Sequence, residues 1–346
     1  MPTTVPNNAP APLVSVAMIT FNHRPYIERA VQCVLGQETD FGVELVIGED
    51  CSTDGTRELV FDLQRRHPER IRVVASEGNV GAHANLVRTE RACRGDYVAY
   101  CEGDDCWHDP QKLAKQVSFL QAHPGYSLVH SHCHRYFVAE KRLSRNNLTV
   151  TNGLDDAKSY EDILLGRRLM MTLTVMVQRA MLLRVLDTCP ECSDPKWPMG
   201  DTQRWLELSR LGNVGCIHEA LATKNMLNES ASSSRDARKL LRFFLAAREL
   251  HLHYLEKYPV GAEVDRAVRE KLASALLQHA YEACDSAVAD TMFEDYVAQG
   301  GRSWCRVRWL RWGSRSSSRQ RLVAPLIKAE MLWRRLNRRM QMTGSN

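Results

Sequence analysis

Several things are missing from this 346-residue chain, and each absence removes a class of protein. No stretch approaches the roughly 18 consecutive apolar residues that a membrane-spanning helix needs. The first twelve residues have neither a basic n-region nor an apolar h-region, so they read as a short flexible lead and not as a secretory signal. No internal repeat is seen. A dense cysteine framework is also lacking. Eleven cysteines, an odd number, are scattered along the chain, whereas a disulfide framework is dense and even-numbered. The expectation is a reducing cytoplasm and mostly buried thiols.

What is present is ordinary globular composition: 44% hydrophobic, 25% charged and 7% aromatic. That excludes wholesale disorder and collagen-like or low-complexity structure. At roughly 150 residues per domain, the length allows two domains, or one large α/β domain with an appendage. The net charge of +5 hides an asymmetry. Residues 301–346 hold 12 Lys and Arg against one acid, Glu330, while the first 300 residues hold 34 basic and 40 acidic residues. The basic excess belongs to the tail, so the body is not expected to bind nucleic acid.

Over the first 135 residues, strand and helix signals alternate. Apolar runs at Leu13–Ile19, Glu44–Ile47, Ile71–Val74, Tyr97–Tyr100 and from Leu128 predict strands. Helical spacing between them covers Ile27–Leu35, Thr56–Arg66, Ala82–Cys93 and Pro110–Ala122, with Gly36, Pro68 and Gly95 as stops. Strands alternating with helices of this length predict βαβ units around a parallel sheet. Further on, Leu173–Val177 and Val214–Ile217 read as strands and Asp201–Leu211 as a helix. The chain is helical from Asp236 to about Leu277. A Ser-rich break at Ser314–Ser318 precedes a basic amphipathic helix marked by Leu322, Leu326, Leu332, Trp333 and Leu336.

In open parallel α/β sheets, ligands sit outside the carboxyl ends of the strands. Three polar clusters follow apolar strands here: Thr20-Phe21-Asn22-His23, Glu49 to Thr56, and Glu102 to Trp107. Carboxylates at neighbouring strand ends repel one another unless a cation or a hydrogen-bonding ligand lies among them. Hard divalent cations such as Mg²⁺ are held by one or two carboxylates plus substrate phosphates. Asp54 and Ser52 can be explained as caps of the following helix. For Asp104-Asp105 capping is the weaker reading, because Asp109-Pro110 already supplies the next helix start.

Val14 to Asn22, Glu49 to Thr56, Asn79-Val80-Gly81, Gly95 to Trp107 and Asp109 to Gln116, in that order, resemble glycosyltransferase family 2. The resemblance is dense over about 12–137 and looser over 170–232. It implies a GT-A fold: an α/β Rossmann-like sandwich with a mainly parallel central sheet, here with a C-terminal helical extension. It implies an inverting enzyme that moves a sugar from a nucleotide-diphosphate donor to a hydroxyl of a glycan or lipid-linked acceptor, with Mg²⁺ or Mn²⁺ as cofactor. On that resemblance Thr20, Asn22, Glu49, Asp50, Asn79, Gly81 and Asp104 line the donor site, with Asp50 accepting from the base. Asp105 binds the metal. The family's base is an acid opening a helix in the second half, and Asp201 in Trp197-Pro198-Met199-Gly200-Asp201 takes that place; it also fits an N-cap. Lys224-Asn225 stands where the family often has Tyr-Arg ahead of Ser230-Ala231-Ser232, so Lys224 would bring positive charge to the donor as a point charge.

The expected division is a lead over 1–12, a transferase domain over 13–232 with a nucleotide-binding half to 135 and an acceptor half from 136, a helical extension over 233–300 and a basic tail over 301–346. Arginines interleaved with Trp304, Trp309 and Trp312 predict that residues 302–340 meet an anionic membrane surface, which would make a cytoplasmic protein peripheral on the inner face of a bacterial membrane, acting in surface polysaccharide or glycolipid assembly. Alternatives are a catalytically degenerate membrane scaffold and a nucleotidyltransferase; the glycine-free Thr20–Pro25 turn counts against the latter. Cys189-Pro190-Glu191-Cys192 has metal or redox spacing but no second pair nearby. His130, His132 and His134 alternate onto one strand face, where a strand facing the acceptor cleft, or plain polar edge residues, is favoured over a metal site.

Overall fold

The apolar run at Val14–Thr20 forms a central strand, β1, with every residue but one buried. The amphipathic stretch Ile27–Leu35 follows as α1 and buries Ile27, Ala30, Val31 and Val34 at helical spacing. The chain continues through β2 (Val43–Glu49), α2 (Thr56–Arg66), β3 (Ile71–Ala75), α3 (Ala82–Ala92), β4 (Tyr97–Tyr100), β5 (Cys106–Trp107), α4 (Lys112–Ala122), β6 (Tyr126–Phe137) and β7 (Arg142–Ser144). Then come α5 (Ser159–Leu164), β8 (Met176–Gln178), α6 (Arg179–Thr188), α7 (Gly200–Leu211) and β9 (Asn213–Met226). This computed structural model describes residues 12–145, 156–197, 199–227, 234, 236–301 and 305–343, with residues 157 and 333–343 described by backbone alone.

All nine strands join one sheet in the order β3-β2-β1-β4-β8-β6-β9-β5, with β7 paired to β6. β3, β2, β1 and β4 run parallel, as do β6 and β9; β8, β5 and β7 pair antiparallel. The expected mainly parallel α/β sheet is therefore present. Register explains where the polar clusters meet: Thr20 pairs with Glu49, and Glu49 with Ala75. The loops after β1, β2 and β3 thus leave the sheet at one level. Val14, Val16, Met18, Leu45, Ile47 and Ala99 form the main core with Leu113 and Val117 of α4.

Two expectations need correction in this first unit, which runs to Leu227. The cysteines are not all thiols, because Cys33 of α1 is disulfide-bonded to Cys106 of β5 with Cα atoms 5.8 Å apart. The sequence separation of 73 hides a pairing that only the fold brings together. Second, the strand expected at Val214–Ile217 is far longer, since β6 offers a partner all the way to Phe137.

The second unit begins at Asn228. Its described helices are α8 (Ala237–Lys257), α9 (Ala262–Glu282), α10 (Ser286–Ala298), α11 (Cys305–Gly313) and α12 (Ser317–Thr343). Asp236 caps α8, its carboxylate accepting from the backbone N–H of Arg238 and Lys239. Val307, Leu310, Val323 and Ile327 share one core with Leu276, Leu277 and Met292. The tail as far as Ile327 is thus part of the helical unit and not an appended segment. Trp304 and Ser230-Ala231-Ser232 lie outside the described residues, as do the side chains of Trp333 and Leu336.

Candidate active site

Three loops meet beyond β1, β2 and β3. Asn22 adopts a left-handed φ of 56°, which Asn tolerates better than most residues. Its side-chain oxygen accepts from the Thr53 N–H at 2.9 Å, and its own N–H donates to Ser52 Oγ at 3.0 Å. Asn22 thereby ties the first loop to the second. Thr20 lies buried below it, its hydroxyl oxygen without a hydrogen-bond partner. Glu49 is wholly buried and turned inward: its carboxylate accepts from the Ser52 and Cys51 N–H groups and from Arg57 at 2.6 Å. It holds the turn that presents Asp50.

Asp50 is also buried. Its Oδ1 accepts from the Val80 N–H at 2.8 Å and lies 3.3 Å from Ser76 Oγ; its Oδ2 accepts from the Gly81 N–H at 3.0 Å. Gly81 has φ +86° and is also approached by Asn79 Oδ1 at 3.0 Å. A side chain at that φ would be strained, so glycine lets the backbone fold onto Asp50. Thr20, Asn22, Glu49, Asp50, Asn79 and Gly81 are accordingly one hydrogen-bonded assembly. A carboxylate oxygen has two acceptor positions, and Oδ2 of Asp50 has one to spare.

The acid loop after β4 forms a second group. Asp105 is 2% exposed; its Oδ1 accepts from the Asn225 N–H at 2.8 Å, and its Oδ2 is buried with no hydrogen-bond partner among the described residues. Lys224 Nζ lies 3.7 Å from that oxygen and 3.8 Å from Glu102 Oε2. The Asn225 side chain donates to the Asp104 carbonyl. The antiparallel β5–β9 pair, with Cys106 opposite Thr223, brings β9 to this loop. Gly103 is needed for close approach: a Cβ there would meet Thr20 Oγ1 at 2.8 Å. The second group is thus packed on the first.

The electrostatics are those of an acid cluster short of positive charge. Burial raises the pKa of Asp105 well above the carboxylate range, and Asp104 and Glu102 add to the rise against the pull of Lys224. Burial raises Glu102 as well. For Lys224, burial acts downward but is outweighed by Glu102, Asp105 and Asp104, which hold the ammonium well above its usual range. An orphaned buried carboxylate oxygen among further carboxylates is a donor set that suits a hard divalent cation. The residues present therefore fit Mg²⁺ or Mn²⁺, although Lys224 already covers part of the charge.

Asp201 stands in the first turn of α7. Its Oδ2 accepts from Thr172 Oγ1 at 3.1 Å and its Oδ1 from the Thr202 N–H at 2.8 Å. Its charge bears on both Glu102 and Lys224, raising the pKa of each. His83 of α3 lies against the same turn: a Cβ on Gly200 would be 3.0 Å from its Nδ1. Burial, and then Arg204, lower the pKa of His83, while Asp201 pulls it up.

Residues 15–184 match the family model described as glycosyl transferase family 2. The chain carries a family 2 glycosyltransferase domain. A Bacillus subtilis relative, TuaG, whose name assigns it provisionally to teichuronic acid biosynthesis as a glycosyltransferase, is 29% identical over 71% of this chain and 91% of its own. An uncharacterized Mycobacterium tuberculosis protein is 41% identical over 32% of each chain; the match thus spans about a third of that relative. Among solved structures, Staphylococcus aureus TarS 1–349 in complex with UDP superposes with a TM-score of 0.51 at 15% identity, covering 86% of this chain and 90% of that one. The Pyrobaculum calidifontis mannosyltransferase PcManGT, in complex with GDP-Man and Mn²⁺, gives 0.51 at 17% identity, covering 92% and 88%. At these identities the likeness shows the fold, and it is the GT-A fold.

Asp201 and Lys224 lie beyond the part of the family 2 domain that the model matches, so their assignment rests on geometry and spacing. The geometry also adds residues to the site. Glu102 shares Lys224 with Asp105, and its only sequence signal is its place directly after β4. Thr172 holds Asp201 across 29 residues, and no sequence pattern marks it. Behind the α7 turn, Glu90 and Arg204, both fully buried, pair at 2.7 Å. The Tyr100 hydroxyl donates to Glu90 at 2.8 Å, and Arg204 also donates to the carbonyls of Cys192 and Gly200.

Proposed function

We propose that the chain is a metal-dependent, inverting glycosyltransferase that uses a nucleotide-diphosphate sugar. One observation carries the reading: Asp105, with a buried and unpartnered oxygen, faces Glu102 and Lys224 while Asp201 acts on the same group from a separate helix. The relatives' complexes with UDP, UDP-GlcNAc, and GDP-Man with Mn²⁺ support it. The free acceptor position on Asp50 Oδ2 receives an N–H of the base, with Asn79 and Gly81 lining that pocket. Asp104 lies toward the ribose and diphosphate. Asp105, with Glu102 beside it, holds the Mg²⁺ or Mn²⁺ ion, which when bound supplies Lewis-acid stabilisation of charge on the departing diphosphate. Lys224 adds a tethered positive charge there. Asp201 accepts the proton of the acceptor hydroxyl as its oxygen bonds to the anomeric carbon and the bond to phosphate breaks. Asp104, Asp105 and Asp201 are all in place, so no observation favours the scaffold reading over this one.

Calorimetric titration with UDP and with GDP, with and without Mn²⁺, tests the donor site. Binding should depend on the metal and weaken at least about tenfold in Asp105→Ala, the order seen when a metal site loses a supporting group. Equal binding by Asp105→Ala and the parent would remove the metal assignment.

The acceptor side of the proposal is a lipid-linked or glycan hydroxyl at an anionic membrane surface on the cytoplasmic side, in surface polysaccharide or glycolipid assembly; the name of TuaG supports the polymer class. On α12, Leu322 is 68% and Leu332 60% exposed, with Leu326 also exposed, while Val323 and Ile327 face inward. Arg319, Arg321 and Lys328 flank this outer apolar stripe, a pattern suited to anionic lipid. No described helix is long and apolar enough to cross a membrane. Truncation before α11 would empty the helical core, so substitution is the better test. Leu322→Ser, Leu326→Ser and Leu332→Ser together should reduce co-sedimentation with anionic vesicles at least about tenfold, given about 0.8 kcal/mol for each buried methylene. Unchanged sedimentation of a folded triple variant would end the membrane proposal.

A further inference from the structure

His132 and its alternate neighbours lie on the sheet face away from Cys133, which packs into the main core with Ala222. Here β9 slips against β6: Ser131 pairs with Ile217, but His132 pairs with Ala220. His218 and Glu219 are therefore looped out of the ladder, as in a β-bulge that re-aims side chains. Glu219 turns to Lys115 at 2.6 Å. His218 instead folds toward His132, with ring centroids 5.5 Å apart, and its Nδ1 lies 3.9 Å from Cys216 Sγ. One ligand atom from each of His132, Cys216 and His218 falls within 4.8 Å of the others. His132 is 5% exposed, yet among the described residues neither of its ring nitrogens has a hydrogen-bond partner.

We propose that His132, Cys216 and His218 form a binding site for a borderline-soft divalent cation of the zinc type. Two imidazoles and a thiolate are a ligand set that zinc takes and that Mg²⁺ does not. Leaving a polar group buried and unpaired is unfavourable; a cation on His132 relieves that cost. His218 is exposed and Cys216 half-buried, which gives the ion an entry path and leaves a fourth position to water. Bound there, the cation clamps the bulge of β9 to β6, a few residues ahead of Lys224 and Asn225. The site is independent of the transfer reaction. Cys189, Glu191 and Glu207 form another grouping of this kind, but there the Cys189 thiol already donates to Glu191 at 3.1 Å and the Cys192 thiol to Cys189 at 3.5 Å.

The test is Co²⁺ titration of the full chain after chelator treatment, followed by Zn²⁺ competition. The expected result is a sulfur-to-cobalt charge-transfer band and tetrahedral visible bands that saturate at one ion per chain and vanish as Zn²⁺ is added. Cys216→Ser should abolish the charge-transfer band, and His218→Ala should weaken binding at least about tenfold. Both should keep the parent circular dichroism spectrum, since neither residue is fully buried. Cys189→Ser and Asp105→Ala should leave the band intact. Absence of the band, its survival in Cys216→Ser, or its loss in Cys189→Ser would overturn the proposal.

Discussion

Asp201→Asn should lower kcat by about 10²–10⁴-fold, the range for loss of a positioned general base, while nucleoside diphosphate binding stays within about twofold of the parent. Asparagine keeps the size of the side chain, and its carbonyl oxygen can still accept from the Thr202 N–H or Thr172 Oγ1, the two contacts that fix Asp201. What disappears is the capacity to take up a proton. Because the base acts on the acceptor, donor affinity is the internal control. Stopped-assay kinetics beside calorimetry separate the two quantities. If kcat is unchanged, Asp201 serves only the start of α7 and the base must be sought elsewhere, with His83 of α3, which lies against the same turn, next in line. If kcat and donor affinity fall together, the substitution has disturbed the acid cluster, and the assignment fails as well.

Arg204→Met should destabilise the first unit by about 3–5 kcal/mol, the cost of stranding one partner of a buried ion pair. Glu90 would remain wholly buried beside Tyr100 with its guanidinium removed, and the carbonyls of Cys192 and Gly200 would lose their donor. Urea denaturation gives the shift. Adding Glu90→Gln should recover part of the loss, because the stranded charge goes with it; a double-mutant cycle then isolates the pair itself. A shift below about 1 kcal/mol, the value of a surface pair, would mean that water reaches this pair. Since Arg204 also grips the carbonyl beside Asp201, the variant should lose activity even where it is folded.

The polar strand-end loops were legible because they depend on local patterns. Apolar strands followed at once by Thr20-Phe21-Asn22, Glu49-Asp50 and Asp104-Asp105 place polar groups at strand ends whatever the rest of the chain does. α2 was read at Thr56–Arg66 to the residue because periodicity and Pro68 agree. The misreadings share a different cause, dependence on distant partners. β5 has two residues and exists only because β9 pairs with it. The Cys33–Cys106 disulfide, Thr172 beside Asp201 and the Glu90–Arg204 pair join positions with no sequence relation. Glu49 shows a further case: its place in the motif suggests a ligand contact, and its buried carboxylate is engaged by the Ser52 and Cys51 N–H groups and by Arg57. Lys224-Asn225 departs from the family pattern, and Asn225 hydrogen-bonds the acid loop directly.

The β5–β9 pairing also bears on how such chains can be recombined. Asp105 takes a backbone hydrogen bond from Asn225, 120 positions later, and shares Lys224 with Glu102. The stretch before residue 135 therefore does not hold the whole of the proposed cation site. A chimera joined there would draw the carboxylates from one parent and their backbone donor and ammonium from the other, so grafting a new acceptor region would retune the donor pocket at the same time.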